Sequence, residues 1–110
     1  MRTAVEMQGS ATEAAVAVAV HVVNTPNSDA REAYEAAFRR IEEQGLFPPV
    51  GQRGHTVWLV GDVLHVLDVW DSVDNMKAFM EKLAPILDEF GVQLAGEPEV
   101  GEIIHVARQN

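Results

Sequence analysis

From Ala14 to Asn24 the chain alternates small residues with valines. Ala15, Ala17 and Ala19 share one parity with His21. Val16, Val18 and Val20 share the other with Val22 and Asn24. Valine density and period 2 predict a strand with a valine face, broken by Thr25-Pro26-Asn27-Ser28. Ala30, Ala33, Tyr34, Ala37, Phe38 and Ile41 then follow i, i+3, i+4 spacing, which predicts a helix with one apolar stripe. Ser28 or Asp29 can cap its start, with Glu32 placed for a capping box with Asp29. Gly45 stops it, and Pro48-Pro49 marks a loop. His55–Val60 and Val63–Trp70 are β-branched, aromatic-rich runs separated by Gly61-Asp62, a pair that suits a type II′ hairpin turn. Ser72 can cap a second helix, with Asp74 in its first turn. Its apolar stripe is Met76, Phe79, Met80, Leu83, Leu87 and Phe90. Pro85 inside it removes a backbone donor, which predicts a kink or two short helices. Gly91 ends the segment, and Val100–Ala107 reads as a last strand.

The order is strand, helix, strand, strand, helix, strand. That order predicts an α+β, ferredoxin-like βαββαβ domain over residues 14–110, with two helices covering one face of a four-stranded antiparallel sheet. The other sheet face is too apolar to meet water, so a second copy of the sheet should cover it, giving a homodimer. Residues 1–13 have weak patterning and read as an N-terminal extension.

A two-residue turn at Gly61-Asp62 also sets the side-chain register. Val60 then opposes Val63, and further along Trp58 opposes His65 and His55 opposes Asp68. Opposed residues share a face, with Cβ atoms roughly 4.5–5.5 Å apart. One face carries His55, Val57, Leu59, Leu64, Val66, Asp68 and Trp70. The other carries Thr56, Trp58, Val60, Val63, His65, Leu67 and Val69. The outcome is a His55–Asp68 pair beside a tryptophan on an otherwise aliphatic face. A carboxylate beside an imidazole fixes its tautomer and favours its protonation. In a dry cavity such a pair can take a proton from a substrate. The same pair can also serve only as a clasp at the end of the hairpin.

Composition narrows the chemistry. The chain has 110 residues, enough for one domain, with 47% hydrophobic and 23% charged residues. This is an ordinary globular balance. Eight Lys and Arg against 17 Asp and Glu give a net charge of −9. That surface repels a phosphate backbone and an anionic membrane, so neither nucleic acid nor membrane is an expected partner. There is no cysteine, which excludes thiolate metal sites and cysteine nucleophiles. Ala14–Val20 is the longest apolar run and is far too short to span a bilayer. Few early cations argue against a secretory signal, so a cytoplasmic location is the default.

The histidines His21, His55, His65 and His105 fall one on each predicted strand. Register sets His65 on the face opposite His55, and no His-x-His or His-x-x-x-His pair exists, so no metal site is expected. No nucleophile elbow, dinucleotide fingerprint or P-loop is present. Gly51-Gln52-Arg53-Gly54 reads as a plain connection.

The segment Val66-Leu-Asp-Val-Trp70-Asp-Ser-Val-Asp, followed by Phe79 and Leu83-Ala-Pro85, resembles the antibiotic biosynthesis monooxygenase-like family of the dimeric α/β barrel superfamily. The resemblance extends over about Ala14–Ala107 in element order and over Leu64–Pro85 in residue pattern. It implies a ferredoxin-like protomer, paired sheet to sheet, with one pocket per protomer between sheet and helices. In that family the tryptophan of the motif lines the pocket, which implies Trp70 here. Strand parity adds Asp68 and Val66, and register adds His55. The same resemblance points to Asn24, where haem-degrading relatives carry an asparagine. The haem-ligating histidine of those relatives has no counterpart on the second helix, so haem degradation is not expected.

The functional expectation is a cofactor-free enzyme acting on a small apolar aromatic or carbonyl molecule. His55, held by Asp68, would be the general base. Trp70, Val66, Leu64, Val57 and Asn24 would contact the substrate. The resulting carbanion would react with oxygen in an oxygenase or be reprotonated in an isomerase or cyclase. The alternatives are a non-catalytic metabolite-binding module and a structural dimer without a ligand. Fold does not select among these.

Overall fold

The computed structural model describes residues 16–107, and the proposed extension at 1–13 lies outside them. The element order is β1 (Val18–Val23), α1 (Ala30–Glu43), β2 (Gln52–Val60), β3 (Val63–Trp70), α2 (Val73–Glu89) and β4 (Glu99–Glu102). The four strands form one antiparallel sheet in the order β2-β3-β1-β4. This is the ferredoxin-like arrangement.

The valine parity of β1 decides which face is covered. Val18, Val20 and Val22 are buried, and with Trp70 and Met76 they form a core cluster between the sheet and α2. A second cluster lies between the helices, where Ala37 and Ile41 of α1 meet Ile86 of α2. Phe79 packs against both clusters.

The hairpin turn forms as the sequence requires. Gly61 takes φ +60°, while no described residue other than glycine has a positive φ. That combination belongs to a type II′ turn and not to type I′, which needs positive φ at both central positions. The predicted register follows, from Val60↔Val63 to His55↔Asp68.

Four local expectations change. Strand β2 starts at Gln52, so Gln52-Arg53-Gly54 is strand and not connection. An irregularity between Gln52 and Gly54 absorbs the extra residue, as a bulge does. Helix α1 is capped by Asp29 without a side-chain cap bond, so the box with Glu32 does not form. The Asn27 side chain instead accepts from the Asp29 N–H at 2.8 Å. Helix α2 runs unbroken through Pro85; packing of its Leu83, Ile86 and Leu87 onto the α1 cluster holds the turns on either side. Strand β4 is only four residues long and wholly exposed. It lies at the sheet edge beside β1 alone, and its last link to the sheet is Ile103 N–H to the Ala17 carbonyl, at 3.0 Å. His105 therefore lies beyond any strand, and Ile104 is 94% exposed.

Candidate active site

The inward face of the sheet and the two helices line an apolar cavity of about 90 Å³ that is partly open to the surface. Its floor includes Val22 from β1, Asn24 just beyond the end of that strand, and Leu64, Val66 and Asp68 from β3. His55 on β2 closes one side. Tyr34 and Phe38 descend from α1, and Phe79, Met80 and Leu83 from α2. The volume is several times what one water needs.

At one end three polar side chains form a chain of hydrogen bonds. His55 Nδ1 lies 2.6 Å from Asp68 Oδ1. His55 Nε2 lies 2.7 Å from the Tyr34 hydroxyl. An ionised carboxylate can only accept, so Nδ1 carries the proton and donates to Asp68. With the imidazole neutral, Nε2 is the acceptor and the Tyr34 hydroxyl donates to it. Asp68 is 6% exposed, and a buried carboxylate needs such a partner. Burial pushes the Tyr34 phenol up to about 12 from 10.0, with further contributions from the charges of Asp68 and then Glu42.

Aromatic rings lie around the imidazole, whose side chain is still 22% exposed. Phe38 stacks on it at 6.0 Å with a 9° interplanar angle. The Tyr34 ring lies at 6.3 Å and the Phe47 ring, tilted at 60°, at 5.9 Å. His55 is therefore fixed in position and in tautomer.

Asn24 is 6% exposed, and its Oδ1 has no hydrogen-bond partner. Its backbone N–H donates to the Leu64 carbonyl at 3.0 Å. Val20 is the partner of Asp68 in register, so Asn24 stands roughly 13 Å further along the sheet. Asn24, whose buried amide oxygen has no hydrogen-bond partner, thus stands towards the end of the cavity away from the hydrogen-bonded cluster.

His55, Asp68, Leu64, Val66 and Asn24 are thus brought together around one space. Two other sequence-derived positions are not. Trp70 is fully buried and lies outside the cavity lining. It shares the inward face, as parity required, but it ends β3 opposite Val18. There the first turns of α2 cover it through Met76 and Phe79, the latter 5.6 Å away. Its Nε1–H is buried without a partner. Val57 is half-buried on the edge strand β2, opposite Val66, and also lies outside the lining. Parity gives the face of a strand but not how far the helices cover it.

Among the cavity residues that sequence reasoning missed are the three aromatic side chains beside His55: Tyr34, Phe38 and Phe47. Tyr34 and Phe38 were legible only as members of the α1 stripe. A phenol among aliphatic stripe positions was the one available signal.

The remaining histidines meet elsewhere. His21 Nε2 lies 3.2 Å from His65 Nδ1 on the outer sheet face, with the Trp58 ring 5.2 Å from His65. Among the described residues no group of three or more His, Cys, Asp or Glu side chains is placed to hold a metal ion. Among them, too, no helix is long and apolar enough to cross a membrane.

No protein-family model matches the chain, and no curated relative is similar to it. Solved structures are similar in fold. An antibiotic biosynthesis monooxygenase, so assigned, from Chloroflexus aurantiacus superposes with a TM-score of 0.62 at 15% identity, covering 84% of this chain and 97% of its own. SnoaB, a cofactor-independent oxygenase from Streptomyces nogalater, gives 0.59 at 18% identity, covering 87% and 97%. MupZ from Pseudomonas fluorescens gives 0.61 at 14% identity, over 76% of this chain; the chain spans 66% of MupZ. The fold is therefore the ferredoxin-like fold of antibiotic biosynthesis monooxygenase-like proteins, and at these identities the likeness is one of fold.

Proposed function

We propose that this protein is a cofactor-free small-molecule enzyme of the antibiotic biosynthesis monooxygenase-like type, in which the His55–Asp68 pair removes a proton from an apolar aromatic or carbonyl substrate. The observation that carries this reading is the 2.6 Å His55–Asp68 contact at the wall of an apolar cavity. Asp68 fixes the tautomer and stabilises the imidazolium formed when the proton arrives. Desolvation in the cavity strengthens both interactions. The stabilised carbanion would then meet oxygen directly or be reprotonated at another carbon. Asn24 Oδ1 would accept a hydrogen bond from a substrate donor, and Leu64 and Val66 would pack against its apolar body. The similarity in fold to SnoaB, a cofactor-independent oxygenase, supports the oxygenase branch.

The outer face of the sheet supports a homodimer as the working unit. Trp58, Val60 and Leu67 are all exposed there in the protomer, and a second copy of the same sheet would cover them.

The test is His55→Ala in a turnover screen of small phenols, enols and cyclic ketones under air. Turnover should fall about 10²-fold or more, with the far-ultraviolet circular dichroism unchanged. An active protein indifferent to this substitution would sink the assignment. A co-purified ligand seen by native mass spectrometry, without turnover, would make the protein a binding module instead.

A further inference from the structure

Both ring nitrogens of His55 are occupied. Nδ1 is bonded to Asp68 at 2.6 Å and Nε2 to the Tyr34 hydroxyl at 2.7 Å. Phe38 covers one face of the ring. No nitrogen lone pair is left to meet a substrate in the cavity. The Tyr34 oxygen differs: it donates one bond to Nε2 and keeps lone pairs that can accept. Tyr34 also lines the cavity.

We infer that Tyr34 is a catalytic residue, and that its hydroxyl is the group through which the His55–Asp68 pair takes the substrate's proton. This rests on the proposed proton-abstraction reading. In the step, a phenolic or enolic O–H of the substrate donates to Tyr34 Oη. The substrate proton moves to that oxygen while Tyr34's own proton moves to His55 Nε2. The substrate O–H and the Tyr34 O–H break, and a new Tyr34 O–H and an Nε2–H form. The substrate is left as its phenolate or enolate, His55 as imidazolium beside Asp68 carboxylate, and Tyr34 neutral as before. No electrons are exchanged. Because the transfers are coupled, no free tyrosinate forms, which suits a phenol whose ionisation burial and the Asp68 charge oppose. The relay favours substrates that present an acidic O–H over those that offer only a C–H, since an oxygen-bound proton can hydrogen-bond to Oη before it moves.

The probe is para-nitrophenol, a single-ring phenol whose ionisation is visible. Its titration when bound is compared in the wild type, Tyr34→Phe and His55→Gln. Tyr34→Phe removes the one oxygen on Nε2 and keeps the ring whose centroid lies 6.3 Å from that of the imidazole. The relay predicts that phenol bound to the wild type ionises at least about one pH unit lower, a tenfold shift in equilibrium, than phenol bound to either variant. If Tyr34→Phe titrates like the wild type and only His55→Gln differs, His55 meets the phenol directly. The Tyr34 inference then falls while the His55–Asp68 base stands. If all three titrate alike, or the wild type does not bind the phenol, both readings fall together. A second measurement needs no substitution. Tyr34 is the only tyrosine in the chain, so fluorotyrosine labelling gives one fluorine resonance. That resonance should move when para-nitrophenol binds, and one that stays fixed in the bound state overturns the inference.

Discussion

His55 carries two strong hydrogen bonds and lies among three aromatic rings, Tyr34, Phe38 and Phe47. Its half of the site was legible from strand parity and a two-residue turn, because a β ladder has a fixed register. Tyr34 was not, because a helix laid over a sheet has no register, and a stripe fixes only which residues face inward. The raised Tyr34 phenol gives a test at this scale. The unfolded chain releases the phenolic proton near pH 10.0, whereas the folded protein holds it to about 12. Between those values the folded state binds more protons, so stability falls as pH rises. Urea midpoints measured from pH 9 to pH 12 should show this slope, and Tyr34→Phe should flatten it. Asp68→Asn removes the charge that opposes tyrosinate, so it should lower the midpoint of the tyrosinate absorbance, which reports Tyr34 alone. A midpoint that rises or does not move would separate Asp68 from Tyr34.

The hairpin is the element on which the site depends. Gly61 holds φ +60° with open space around the position of a Cβ. Gly61→Ala therefore costs backbone strain alone, about 1–2 kcal/mol, read as a lower denaturation midpoint with the cavity intact. Lengthening the turn by one residue acts differently. It slips the edge strand β2 past β3 and sends His55 to the outer face while Asp68, held in register by β1, stays within. That variant should lose turnover as fully as His55→Ala even where it folds. At the start of α2, Ser72 accepts from the Asn75 N–H at 3.2 Å, and Ser72→Ala should cost about 1 kcal/mol. The Ser72 cap and the Gly45 stop were readable because they are local chemistry. The fate of Pro85 was not, because packing of its neighbours on α1 decides whether the helix continues.

At the scale of the molecule, the sheet has one covered face and one open face. Val60 on the open side is 59% exposed, and Trp58 and Leu67 are 39% exposed. The parallel rings of His21, His65 and Trp58 occupy the same side. The sequence predicted an apolar outer face from parity, and among the described residues nothing in the fold covers Trp58, Val60 and Leu67 fully. Sedimentation should return a dimer at micromolar concentration. Leu67→Lys, on an already exposed position, should shift it to monomers with little loss of secondary structure. A protein that sediments as a monomer before any substitution would remove the dimer from the proposed function.

The sequence alone determined what has a fixed period or a local chemical cause. It set the strand and helix order, the type II′ turn, the faces of β1, β2 and β3, and through them the pairing of His55 with Asp68. Tertiary structure decided what depends on how layers meet. It placed Tyr34 and Phe38 of α1 over His55, buried Trp70 under the start of α2 away from the cavity, and left the buried amide oxygen of Asn24 without a partner. Periodicity says which way a side chain points. Only the packing of one layer on another says what it meets there.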